Sequence, residues 1–154
     1  MTDATAARWA TRLLDSYQRR TGSVLVERGA DADDDVRRLD VTDAVVLCHD
    51  GGADPRFVFA NAAAARLWAL PREQLVGLPS RLPAAPDARA DRADALDRAR
   101  RTGLLRGYAG VRRAADGSLF VIRDATLWTV DDEDGRPVGQ AATFTSWEPL
   151  AADQ

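Results

Sequence analysis

The last third of the chain reads as three long strands joined by two tight turns. Apolar and β-branched residues are frequent in segments 105–113, 118–130 and 137–147. The turn segments "AADGS" and "DDEDGRP" are rich in Asp and Gly, which is typical of hairpin connections. Because strands joined by short turns pair antiparallel, this region predicts an antiparallel sheet.

Two shorter strands and several helices precede these three strands. Segments 44–50 and 56–61 are apolar and flank the turn "GGADP", so they predict a further hairpin. Helical spacing and boundary residues predict helices over 4–20, 62–70 and 87–102, and a short one within 71–77. We therefore predict an α+β, PAS-like fold. It has a five-stranded antiparallel sheet with helices on one face, and an additional N-terminal helix.

The N-terminal helix has one apolar face. Trp9, Leu13 and Tyr17 are four residues apart and so lie on the same side of the helix. The predicted strand 118–130 is largely apolar on both faces, so both faces of the sheet need a cover. The helix could cover the second face, or this helix and the outer sheet face could form a homodimer contact. The sequence leaves both arrangements open.

Composition excludes several kinds of chemistry. All 21 basic residues of this 154-residue chain are arginine. Without lysine the chain has neither a Schiff-base lysine nor the lysine of a phosphate-binding P-loop. Cys48 is the single cysteine and His49 the single histidine, so no internal disulfide and no Cys/His zinc centre can form. We predict no metal site.

Charge and hydropathy predict neither a nucleic-acid partner nor a membrane partner. The net charge is -3 and the pI is about 5.2, unlike the basic footprint of a nucleic-acid-binding protein. The apolar runs are too short to span a bilayer, and the N terminus lacks the pattern of a signal peptide. We expect a cytoplasmic protein.

Five separated phrases carry a family resemblance. They are "LLDSYQRRTG", "DPRFVFANAAAARLWAL", "LPSRLPAAP", "GVRRAADGSLFVIRDATLW" and "GQAATFTSWEPL". Together they resemble the MEKHLA domain family, a PAS-related domain found alone in bacteria and algae and at the C terminus of plant class III homeodomain–leucine zipper proteins. The resemblance covers about Leu13 to Leu150 and is to the stand-alone bacterial type. It implies a PAS-like fold and a sensory role, without a settled ligand or reaction.

This resemblance also suggests the organisation of the chain. We assign residues 1–22 to the N-terminal helix, 23–150 to the PAS-like MEKHLA domain and 151–154 to a tail.

The loop "GLPSRLPAAP" resembles a second, narrower pattern. Flavin-binding photosensor PAS domains carry Gly-x-Asn-Cys-Arg-Phe-Leu here; Gly77 and Arg81 match it, and Leu82 fits as another apolar residue at the phenylalanine position. Pro79 and Ser80 replace the asparagine and the cysteine, and a serine is a far weaker nucleophile than a thiol. These departures argue against flavin, nothing around His49 supports haem, and the cofactor stays open. We expect Ser80 and Arg81 to face a ligand; the alternative is that Arg81 pairs with Asp87.

Side-chain alternation along the strands predicts a polar floor for a pocket. On the strand 118–130, alternation places Asp124 on the same face as Phe120, Ile122 and Trp128. If the faces of the neighbouring strands converge, Asp124 forms this floor together with Tyr108, Arg112 and Gln140. The floor could bind a small carboxylate or amide, or could place Asp124 as an acid/base. The alternative is a structural Arg112–Asp124 pair in a mixed core. The candidate ligand-binding residues are Trp68, Ser80, Arg81, Tyr108, Arg112, Asp124, Trp128 and Gln140.

Three further residues have simpler interpretations. Cys48 and His49 are neighbours on a strand and point to opposite faces, so we do not expect a nucleophile–base pair. Asn61 precedes an alanine-rich helix and is a good N-cap.

These observations lead to a function hypothesis with open alternatives. We predict a PAS-like sensory module that binds a small polar or anionic organic molecule and signals through protein–protein contacts. The first alternative is an isomerase, cyclase or hydrolase that uses the same pocket, with Asp124 or His49 moving the proton. The second is a purely structural dimerisation domain.

Overall fold

The computed structural model describes residues 3–84 and 86–150. Within these residues six antiparallel strands form one sheet in the order β2-β1-β5-β4-β3, and β6 pairs with β4. The strands are β1 (Val45–Asp50), β2 (Phe57–Ala60), β3 (Leu104–Arg113), β4 (Leu119–Asp131), β5 (Pro137–Phe144) and β6 (Ser146–Pro149).

Four of the helices lie within a few residues of the predicted segments 4–20, 62–70, 71–77 and 87–102, and the described residues hold one more, over 32–41. Gly22 ends the first of them with a φ of 75°, a conformation that suits glycine. The helices are α1 (Asp3–Thr21), α2 (Ala32–Val41), α3 (Ala62–Trp68), α4 (Arg72–Leu75) and α5 (Arg89–Thr102), the last preceded by a 3-10 turn (Pro86–Ala88). The predicted α+β fold is confirmed.

The sheet has one strand more than predicted. The segment predicted as one strand, 137–147, is divided into β5 and β6. β5 pairs with the second half of β4, from Thr126 on, and β6 pairs with the first half, Phe120 to Arg123. The division lies opposite Asp124 of β4, which has a left-handed φ of 52°. A single irregular residue therefore interrupts the pairing of both strands.

Helix α1 covers the outer face of the sheet. Trp9 and Leu13 are buried together with Phe59, Trp128 and other sheet residues. The Trp128 Nε1 donates a hydrogen bond of 3.0 Å to Ser16 Oγ, and the Trp128 ring meets Tyr17 edge-on at 4.9 Å. The apolar face of α1 is thus occupied by the chain's own sheet. A homodimer through this face would have to displace those contacts.

Asn61 connects α3 to two preceding segments. Its side chain accepts hydrogen bonds from the backbone N–H groups of Ala64 and Val46, at 3.1 and 3.0 Å. Its amide nitrogen donates to the carbonyl groups of Leu39 and Ala44. The predicted N-cap is confirmed, and this residue also anchors the end of α2 and the start of β1.

Among the described residues, no helix is both long enough and apolar enough to cross a membrane.

Candidate ligand-binding pocket

A small cavity lies between the inner face of the sheet and helices α3 and α5. Its volume is about 50 Å³. Alternation along β1 directs Leu47 and His49 into this side, whereas Val46 and Cys48 belong to the outer core under α1. The apolar part of the lining includes Leu47, Phe57, Trp68, Ile122, Leu127 and Phe144.

Two arginines give the cavity a cationic wall. Arg92 comes from α5 and Arg112 from β3, and both line the cavity. The Arg92 Nη2 donates to Ser80 Oγ at 2.9 Å, and the Arg112 Nη2 donates to the Tyr108 hydroxyl at 3.1 Å. Burial, and secondarily the charge of Arg112, lowers the pKa of Arg92 to about 10. Neither guanidinium group has a carboxylate partner within the described part of the chain.

A row of polar side chains crosses the sheet at another part of the lining. Gln140 of β5 lies directly opposite His49 of β1 and opposite Thr129 of β4. Its Nε2 donates to the Leu96 carbonyl of α5 at 2.9 Å. The His49 Nδ1 lies 2.8 Å from the carbonyl oxygen of Asp50. Burial lowers the pKa of His49 from 6.5 to about 4, so the ring is neutral at pH 7.

Trp68 forms an aromatic side of the cavity. Its ring meets Phe120 and Phe144 edge-on, with centroid distances of 5.3 and 6.3 Å. Within the described residues its buried indole Nε1 finds no hydrogen-bond partner. A buried N–H without an acceptor is costly, so this atom is suited to an acceptor inside the cavity.

The sequence profile of the MEKHLA domain matches residues 7–149, which is nearly the whole chain. The chain belongs to the MEKHLA domain family. A search of curated protein sequences finds no significant match.

Solved structures share the fold of this MEKHLA domain at low sequence identity. A PAS domain of a Colwellia psychrerythraea protein has a TM-score of 0.61 and 16% identity, over 74% of this chain and 92% of that one. A PAS domain from a two-component sensor histidine kinase has a TM-score of 0.57 and 16% identity, over 75% and 92%. An RNA-binding light-oxygen-voltage receptor has a TM-score of 0.60 and 20% identity, over 70% and 30%. These likenesses show a PAS fold.

Four of the predicted binding residues line the cavity of this MEKHLA domain, and a fifth supports it. Trp68, Tyr108, Arg112 and Gln140 are part of the lining, as is the alternative acid/base His49. Ser80 is buried and holds Arg92 through its hydroxyl. Ser80 therefore positions a lining arginine.

Arg81 points away from the cavity. Its Nε lies 3.1 Å from Asp54 Oδ1, and both side chains are about half exposed. The expectation that Arg81 faces a ligand is wrong in this structure, and its partner is Asp54 rather than Asp87. An ion pair between exposed side chains contributes little to stability.

Asp124 and Trp128 are also outside the cavity. Asp124 is exposed and adopts φ 52°, which shifts the alternation of β4 by one residue. Before Asp124 the inward residues are Phe120 and Ile122; after it Leu127 faces inward and Trp128 packs under α1. The predicted Arg112–Asp124 pair is absent, and the enzyme alternative loses Asp124 as an acid/base in the pocket.

Arg92 is the charged residue of the lining that sequence analysis missed. It precedes Ala95, Leu96 and Ala99 by three, four and seven residues, so it lies on the apolar face of α5. Ala95 and Ala99 are buried in the inner core. The helical spacing of this arginine from apolar residues could therefore have predicted that it faces the interior.

Proposed function

We propose that this MEKHLA domain is a sensory module whose pocket binds a small organic anion, with a carboxylate as the group recognised. The observation that supports this most strongly is the pair of guanidinium groups, Arg92 and Arg112, in an otherwise largely apolar cavity. Burying a charge is unfavourable unless an opposite charge or hydrogen bonds compensate it. A carboxylate can accept parallel hydrogen bonds from a guanidinium, so it fits this wall well.

The size of the cavity favours a short ligand. A cavity of about 150 Å³ accommodates benzene, and the cavity here is about 50 Å³. An aromatic acid would require the inner core to expand. A short aliphatic acid also exceeds the free volume, but it requires a smaller expansion of the inner core than an aromatic acid does. We therefore propose a short aliphatic carboxylate as the ligand.

In this proposal, β4 transmits the effect of ligand binding from the pocket to α1. Leu127 lines the cavity, and the next residue, Trp128, is hydrogen-bonded to Ser16 of α1 on the opposite face. At the end of the strand, the buried Asp131 accepts hydrogen bonds from Arg19 and Arg20 of α1. A ligand that moves β4 would therefore alter how α1 packs, and α1 would present the change to a partner protein.

Calorimetric titration with propionate tests the anion site. We expect propionate to bind, and its neutral isostere propionamide to bind at least about tenfold more weakly, because a hydrogen bond to a charged group contributes roughly 1.5–3 kcal/mol. Arg92→Gln and Arg112→Gln should each weaken propionate binding by a similar factor. Arg81→Gln is the matched control, since Arg81 is paired with Asp54 outside the cavity.

Two results would contradict the proposal. One is propionate binding that Arg112→Gln and Arg92→Gln leave unchanged. The other is the absence of binding by acetate, propionate and butyrate at millimolar concentration to a protein whose folding is confirmed by circular dichroism.

A further inference from the structure

His49 contributes a buried polar atom that the described protein leaves without a partner. The side chain is 6% exposed and lines the cavity. Its Nε2 has no hydrogen-bond partner among the described residues. Buried polar side-chain atoms are nearly always hydrogen-bonded, so the contents of the cavity must satisfy this one.

The hydrogen bond on the other side of the ring determines what Nε2 can do. The Nδ1 faces the carbonyl oxygen of Asp50 at 2.8 Å, and a carbonyl oxygen only accepts. The Nδ1 must therefore carry the hydrogen. Because the ring is neutral, Nε2 is then unprotonated and can only accept. His49 Nε2 thus needs a hydrogen-bond donor, which a ligand in the cavity can supply.

Trp68 adds the complementary requirement. It is 2% exposed, and its unpartnered Nε1–H is a donor in the lining of the same cavity. The ligand therefore meets both an acceptor and a donor in the lining, and an oxygen of its carboxylate can accept from Trp68.

A hydroxyl supplies the donor that His49 Nε2 lacks as a neutral group. It can donate to an imidazole nitrogen and accept from an indole N–H. An ammonium group can donate but not accept, and its positive charge would lie near Arg92 and Arg112. A ketone oxygen or a second carboxylate accepts only, and would leave the His49 Nε2 unsatisfied.

We propose that the ligand is a short hydroxycarboxylate, whose hydroxyl donates a hydrogen bond to His49 Nε2. This inference rests on the anion site proposed above and adds the chemical group that distinguishes the ligand from other short acids. It predicts selectivity among acids with the same three-carbon chain: lactate binds more tightly than propionate, pyruvate or alanine.

Titrations with these four probes test the selectivity. We expect lactate to bind at least about fivefold more tightly than propionate, from one buried hydrogen bond and the cost of leaving its partner unpaired. His49→Phe, which removes the acceptor, should abolish this preference. His49→Gln, which keeps an acceptor, should retain part of the preference. Cys48→Ala is the control on the opposite face of the same strand.

A spectroscopic measurement does not depend on any variant being folded. His49 is the only histidine, so histidine labelled with ¹⁵N gives one pair of ring-nitrogen signals. We expect the free protein at pH 7 to show a protonated Nδ1 and an unprotonated Nε2. Lactate should move the Nε2 signal in the direction of an accepted hydrogen bond, and propionate should not.

The outcomes separate this inference from the proposed function. Equal affinity for lactate and propionate, with both lost in Arg112→Gln, would overturn the hydroxyl inference and leave the anion site intact; water would then satisfy Nε2. A protonated Nε2 in the free protein would also overturn it. No binding by either acid would overturn both proposals.

Discussion

Replacing Asn61 with alanine is expected to destabilise the protein by about 3–4 kcal/mol. Its side chain is fully buried and bonds to four backbone groups, belonging to Leu39, Ala44, Val46 and Ala64. Each buried backbone group left unpaired costs roughly 1–3 kcal/mol, and loss of a helix N-cap alone costs about 1 kcal/mol. Urea unfolding followed by tryptophan fluorescence measures the change.

The control is Asp31, the N-cap residue of α2. Asp31 caps α2 by accepting a hydrogen bond from the Asp34 N–H at 2.8 Å, but it is exposed. Asp31→Ala should therefore cost only about 1 kcal/mol. If Asn61→Ala cost no more than Asp31→Ala, the junction of α2, β1 and α3 would not depend on this side chain as described.

Acidification between pH 7.5 and pH 5 is expected to destabilise the wild type by about 2 kcal/mol more than a His49→Gln variant. Burial lowers the pKa of His49 to about 4, below its ordinary 6.5, so the unfolded chain takes up the proton first. Stability is therefore constant above about pH 6.5 and falls as the pH decreases towards 4. The charged groups that act on the ring are Asp50, Arg92 and Arg100.

The comparison with His49→Gln removes the contribution of every other titrating group. Groups that titrate in both proteins contribute equally to the two curves and cancel in the difference. Unfolding free energies measured at half-unit pH steps should diverge from pH 6.5 downwards. Curves that stay parallel to pH 5 would show that the imidazole is readily protonated in the folded state, and hence that it is not the buried neutral acceptor described above.

The order of most elements and the ends of several helices were predictable because local residues specify them. Gly22 and Gly103 end α1 and α5 in the left-handed region, and Asn61 starts α3, each from signals within a few residues. Alternation along β1 correctly separated Cys48 from His49. The covering of the outer face by α1 required the tertiary structure, because the sequence fits a partner subunit equally well.

The polar part of the site was predicted only in part, for two physical reasons. Strict alternation along β4 fails at Asp124, because a left-handed residue within a strand moves all later side chains to the other face. The loop "GLPSRLPAAP", which resembles the flavin-binding pattern, suggested Arg81 as a ligand-facing residue. Arg81 pairs with Asp54 at the surface, whereas Arg92 reaches the cavity. Arg112, Tyr108 and Gln140 were found because side chains alternate from residue 108 to residue 112 and along β5, although the pairing of β3 with β4 shifts on both sides of Tyr108.

The most direct test of the anion site observes the arginines themselves. Nuclear magnetic resonance of the side-chain Nε–H groups follows individual guanidinium groups during titration, and Arg92→Gln and Arg112→Gln assign the two signals of interest. Addition of lactate is predicted to shift the signals of Arg92 and Arg112 and to leave that of Arg81 in place. Binding of lactate with both signals unmoved would contradict the account, because the carboxylate would then lie outside the cavity.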